Sequence, residues 1–98
     1  MIIQIKNLSG PVWLSFDIDG LDGLLVPATG TPVPGGLSYW GANEIIKELF
    51  SAKKTNVIGA DVNEISTSPS TNLTEFSAAL IATKIIVGHI MSQKKVND

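Results

Sequence analysis

The chain has 98 residues, a formal charge of −2, no cysteine, and seven basic residues that are all lysine. That length allows one small domain at most, and the missing cysteines exclude disulfides and thiolate metal sites. The absence of arginine argues against a nucleic-acid surface, which needs concentrated basic charge and usually guanidinium forks.

From the amino terminus, Met1-Ile2-Ile3 is apolar but is cut short by Gln4 and Lys6, so no secretory leader is predicted. Pro11 to Ile18, opened by Gly-Pro and rich in β-branched and aromatic residues, predicts a strand apolar enough to be buried on both faces. Asp19 to Gly36 is a long loop of Gly, Pro and Thr, of a length that is usually functional inside a compact domain. Ser38 is placed to cap a helix whose apolar face is Ala42, Ile45, Ile46, Leu49 and Phe50, with Gly41 weakening its first turn. Val57 to Val62 predicts a second buried strand. Asn72 with Glu75 three residues on predicts a capping box. The last helix then runs to about Met91, with Leu73, Phe76, Leu80, Ile81, Ile85 and Val87 mostly inward.

Strand, helix, strand, helix implies a parallel sheet with a right-handed crossover. The fold class is therefore α/β, but two parallel strands and two helices leave both sheet edges open and one face uncovered. Hydrophobic residues make up 44% of the chain, although small domains need proportionally more polar surface. Composition and topology alike point to part of a larger α/β unit. The longest near-apolar stretch, Ala78 to Met91, is shorter than a membrane span, so a soluble protein with no membrane partner is expected.

Three of the five aspartates fall in Asp17-Ile18-Asp19-Gly20-Leu21-Asp22. Asp17 and Asp19 share a face if the strand geometry persists, at the carboxyl end where parallel sheets bind ligands. Two such carboxylates suit a hard cation such as Mg, Mn or Ca. Alternatively, they initiate a turn, since Asp-Gly occurs at Asp19-Gly20 and Asp22-Gly23. An EF-hand is excluded, because Leu21 and Asp22 stand where that loop needs an acidic residue and a Gly. Pro27-Ala28-Thr29-Gly30-Thr31-Pro32 and Gly35-Gly36 lack the Gly-Lys-Ser/Thr of a P-loop.

Taken together, Ser15-Phe16-Asp17-Ile18-Asp19-Gly20-Leu21-Asp22 and Pro27-Ala28-Thr29-Gly30-Thr31-Pro32 resemble the ureohydrolase signature. That family includes arginase, agmatinase and formimidoylglutamase; with Gly35-Gly36-Leu37-Ser38-Tyr39 behind it, the wording looks most like arginase. The resemblance continues through Asp61-Val62-Asn63-Glu64 and implies the carboxy-terminal portion, residues 1–98, of a three-layer arginase-like domain.

It further implies that Asp17 and Asp19 ligate a binuclear Mn2+ centre, that Glu64 holds the substrate guanidinium, and that Thr31 lies beside the substrate. Asp22 is then a loop organiser. The activity implied is hydrolysis of L-arginine to ornithine and urea by a metal-bridging hydroxide, in a cytoplasmic homo-oligomer, with agmatine or another guanidino compound as the alternative substrate. A non-catalytic fragment that associates with a partner chain is the rival from another class.

Gly23, Trp40-Gly41 and Ile65-Ser66 depart from the family wording, and none of these positions is an implied metal ligand. The larger departure is the lack of the family's histidine-bearing motifs. The only histidine, His89, falls in the last helix and is read as a packed or partly exposed helix residue rather than a metal ligand. No catalytic residue is therefore assigned to this chain, and by itself it is expected to be inactive. Trp13, Tyr39 and Trp40 are read as core or interface.

Overall fold

The computed structural model describes residues 8–29 and 32–97. Along β1 (Gly10–Asp17), Val12, Leu14 and Phe16 turn inward while Trp13, Ser15 and Asp17 stay exposed, a period of two that gives the strand one packed face. It pairs in parallel with β2 (Thr55–Asn63), Gly10 opposite Thr55 and Asp17 opposite Asn63. The register slips once, Val12 facing Val57 and Trp13 facing Gly59, so Ile58 bulges outward. Both strands still end level, which brings Asp17 and the start of the next loop to one edge.

The link between them is α1 (Tyr39–Ser51), started as predicted: the Ser38 hydroxyl accepts from the Gly41 N–H at 2.9 Å. Its buried face is Ala42, Ile46 and Leu49, with Ile45 and Phe50 partly covered. α2 (Leu73–Asn97) follows β2. One main core joins Ile46 of α1 and Ile81 and Ile85 of α2 to the inner strand residues Leu14, Phe16, Ala60 and Val62. The chain is thus an α/β unit, β-α-β-α with a two-stranded parallel sheet.

Several expectations are corrected. The strands are covered on one face only: Trp13 is 60% and Ile58 62% exposed, because residues of both helices pack into the same core on the inner face. α2 starts differently and runs further. The Thr71 hydroxyl, not the Asn72 side chain, accepts the Leu73 N–H at 3.1 Å, while the Asn72 carbonyl takes the Phe76 N–H. One Glu75 carboxylate oxygen is buried without a hydrogen-bond partner, so the capping box does not form. The helix also continues to Asn97.

The inward stripe of α2 is Thr74, Ser77, Ala78, Ile81 and Ile85, whereas Leu73, Phe76, Leu80 and Val87 are exposed. Apolar residues surround this helix, so its composition alone does not mark the inner side. From Leu73 to Gln93 it is long and apolar enough to cross a membrane by length and composition, longer than the sequence reading allowed, and 28% of its most apolar stretch is buried.

Candidate active site at the carboxyl edge of the sheet

The edge where β1 and β2 end carries the acidic residues of both following loops. Asp17 closes β1, Asp19 lies in a 3-10 turn at Ile18–Gly20, and Glu64 follows Asn63 directly. No lysine occurs from Asp17 to Leu37 or from Asp61 to Asn72. Lys53 and Lys54 lie just before β2, at the opposite edge, so the carboxyl edge gathers negative charge suited to a cation.

The extended geometry does not persist past Asp17. The chain turns at Ile18, and the Leu21 N–H bonds back to the Ile18 carbonyl at 3.1 Å. Asp17 is exposed and Asp19 half-buried. Ile18, Leu21 and Val26 are fully buried in the main core. Each such burial contributes roughly 1.5–3 kcal/mol as an upper figure, so the long loop is anchored through its own apolar residues.

Asp22 organises the rest of that loop, as read from the sequence. Its two carboxylate oxygens accept from the Leu24 and Gly35 N–H groups, each at 2.9 Å. Its own N–H reaches the Leu37 carbonyl at 2.8 Å, and the Leu37 N–H returns to Gly20 at 2.9 Å. Gly36 is required at this crossing, because a Cβ there would lie 2.8 Å from the Leu21 carbonyl.

A second set of bonds draws the Pro27–Thr29 segment to Glu64. The Ala28 N–H donates to the buried Thr74 hydroxyl at 2.8 Å, and the Ser77 hydroxyl donates to the Leu25 carbonyl at 2.8 Å. From that anchored segment the Thr29 hydroxyl donates to the Glu64 carbonyl at 3.1 Å, and the Ala28 carbonyl accepts the Ser66 N–H at 3.1 Å. Just before those two bonds Glu64 has φ 65°, the one non-glycine residue at positive φ among those described. That conformation costs on the order of 1–2 kcal/mol for a residue with a Cβ, and the bonds at the Glu64 carbonyl and the Ser66 N–H restrain the chain as it leaves Glu64. The Glu64 side chain is exposed.

Beneath the edge, on the exposed sheet face, Asp61 accepts from Trp13 Nε1 at 2.5 Å, from the Ser15 hydroxyl at 2.8 Å and from the Asn63 amide. The Trp13 indole, and after it the Ser15 hydroxyl, hold the Asp61 carboxyl below the usual carboxylate range; desolvation opposes them, and the Asn63 amide adds the smallest effect. Both tryptophans lie outside the core: Trp13 lies over Gly59, while Trp40 is 74% exposed and meets Tyr39 edge to face at 5.3 Å.

Asp17, Asp19 and Glu64 therefore gather at one edge, while Thr31 lies outside the described residues. Among the described residues no three His, Cys, Asp or Glu side chains come together closely enough to hold a metal ion. His89 is exposed on α2, away from this edge. Asp17 and Asp19 offer hard oxygens of the right chemistry for a divalent cation, but only part of a full donor set. A cleft of about 640 Å³ between α1 and α2, lined by Trp40, Phe50 and Met91 among others, includes none of these acids. Thr29, Thr74 and Asp61 were not singled out as site residues in the sequence; Thr29 and Asp61 sit inside the motifs that were.

The chain is similar to known proteins along most of its length. The model of the arginase family matches residues 1–88. An agmatinase of Chromobacterium violaceum is 42% identical over 98 residues, covering 97% of this chain and 29% of that protein. A crystal structure of a hypothetical agmatinase from Burkholderia thailandensis superposes with a TM-score of 0.78 at 34% identity, over 99% of this chain and 30% of that one. The arginase of Bacillus caldovelox gives 0.65 at 30% identity, over 86% and 28%. The chain spans less than a third of the length of each of these relatives.

Proposed function

The chain belongs to the arginase family, and on that premise we propose that it supplies two metal-ligand aspartates and a guanidinium-holding glutamate to a ureohydrolase site. In this reading Asp17 and Asp19 are ligands of a binuclear manganese centre whose remaining ligands come from outside this chain's motifs, and Thr31 lies beside the substrate. The chemistry such a cation would supply, held in part by Asp17 and Asp19, is to make a bound water more acidic and so nucleophilic near neutral pH.

The chain's own residues do the rest. Glu64 accepts hydrogen bonds from the planar guanidinium, Asp22 keeps the loop that carries Asp19 in shape, and the negative edge draws a cationic substrate in. The observation that carries the reading is the convergence of Asp17, Asp19 and a backbone-constrained Glu64 on one edge of the sheet. Agmatine is the favoured substrate, because agmatinases match at 42% sequence identity and with a TM-score of 0.78. Arginine is the second, supported by the arginase-like loop wording and the structural match to an arginase. Residues 1–98 are then the carboxy-terminal portion of one domain in a cytoplasmic homo-oligomer.

The test is urea release by the protein purified from its own source and loaded with manganese, with agmatine and arginine in parallel. Urea from agmatine at the higher kcat/KM supports the reading. A preference for arginine reverses the substrate assignment, and no urea from either sinks the catalytic reading altogether.

A further inference from the structure

The β2–α2 loop holds Glu64 in a conformation that its own sequence does not favour. Glutamate is neither glycine nor a residue such as Asn that visits positive φ readily, yet Glu64 has φ 65°. Something outside the loop must hold it there. Among the described residues, the hydrogen bonds that tie the segment from Glu64 to Ser66 to another part of the chain run to Ala28 and Thr29: Thr29 hydroxyl to Glu64 carbonyl, and Ser66 N–H to Ala28 carbonyl, both 3.1 Å.

Ala28 is in turn fixed by its N–H to the hydroxyl of Thr74, which has no solvent exposure. The restraint thus runs from the core side of α2, through Ala28, to the loop. Of its members, Thr29 alone reaches the Glu64 peptide itself.

We propose that Thr29 is a positioning residue for Glu64: its hydroxyl pins the Glu64 carbonyl, and so aims the carboxylate at the guanidinium of the substrate. The proposal rests on the guanidinium-holding role of Glu64 given above. Thr29 does not touch substrate in this account; it acts through the backbone. Its hydroxyl matters and its methyl does not, so serine can replace it and valine, of nearly the same shape, cannot.

The experiment compares Thr29→Val, Thr29→Ser and Glu64→Gln in the manganese-loaded protein purified from its source. It reads kcat and KM for agmatine, manganese per chain, and hydrogen exchange of the peptide containing Ser66. Thr29→Val is expected to lower kcat/KM by about tenfold, mainly through KM, as a misplaced substrate-holding group does. Exchange at Ser66 rises and manganese content stays unchanged, while Thr29→Ser stays within about twofold of the parent.

A Thr29→Val protein with unchanged kcat/KM, beside a crippled Glu64→Gln, overturns the role of Thr29 alone. If Thr29→Val loses manganese in proportion to activity, the residue serves the metal site and the proposal falls. If Glu64→Gln itself is fully active, the reading of Glu64 fails and takes the proposal with it.

Discussion

Asp61 accepts bonds from Trp13, Ser15 and Asn63, three donors that stabilise its charged form. Its carboxyl therefore ionises below the usual range, the Trp13 indole being the main cause. Because the folded-state pKa is depressed, the stabilisation is complete above the ordinary value of about 3.9. It is lost only as pH falls through the lower folded-state value. Trp13 reports this directly. With Trp40→Phe removing the second indole, Trp13 emission should stay constant from about pH 7 to about pH 4 and shift below that. Asp61→Asn should abolish the acid shift, and a shift that survives in Asp61→Asn would place its origin elsewhere.

The residues of the candidate site differ in how plainly the sequence announces them. Asp17, Asp19 and Asp22 are legible because acidic residues clustered after an apolar run mark a strand end and a turn. Even there the sequence leaves metal and turn as alternatives. The structure shows Asp22 acting as a loop organiser through Leu24 and Gly35. The φ of Glu64 is not legible, because glutamate carries no local preference for it and its restraint comes from Thr29, 35 positions away. The Trp13–Asp61 bond spans 48 positions and depends on strand register, which the bulge at Ile58 shifts.

At the scale of elements, α1 follows from periodicity, its apolar residues recurring at three and four, while β1 and β2 follow from short apolar runs whose one-sided burial the runs themselves do not reveal. α2 does not yield its inner face so easily, being apolar on every side. Its contact with α1 is set by a small residue, Gly88, where a Cβ would lie 2.5 Å from Phe50 Cδ2. Gly88→Ala gains up to about 1 kcal/mol of helix propensity but must displace the Phe50 ring. Overpacking of this kind costs about 1–3 kcal/mol, so a net loss of stability is expected in urea unfolding. Adding Phe50→Leu should recover most of that loss. Strictly additive effects of the two changes would show that the ring and the glycine do not meet in solution. By comparison, Ser38→Ala removes only a cap, an effect of about 1 kcal/mol, and should leave β1–β2 pairing intact.

At the scale of the whole molecule, burial is one-sided. Trp13 and Ile58 on the sheet are 60% and 62% exposed, and Phe76, Ile86, Ile90 and Met91 on α2 are each more than half exposed. The radius of gyration is 14.2 Å, against about 13 Å for a compact domain of this length. Among the described residues the sheet has two strands, each with one edge left unpaired. Relatives more than three times as long share this unit's fold, and the exposed apolar side is what a sheet continued by further strands and a covering layer would bury. The 98-residue polypeptide expressed alone should therefore self-associate through the sheet. Its sedimentation coefficient should rise with concentration across the micromolar range, as large exposed apolar patches dictate. Ile58→Lys puts a charge on the outward bulge without touching the inner core, and should suppress that association while leaving helix content unchanged. If both proteins sediment as monomers at every concentration, the exposed sheet face is not adhesive. If Ile58→Lys associates as strongly as the parent, the contact lies instead along α2, where Phe76, Ile86, Ile90 and Met91 offer the other apolar surface.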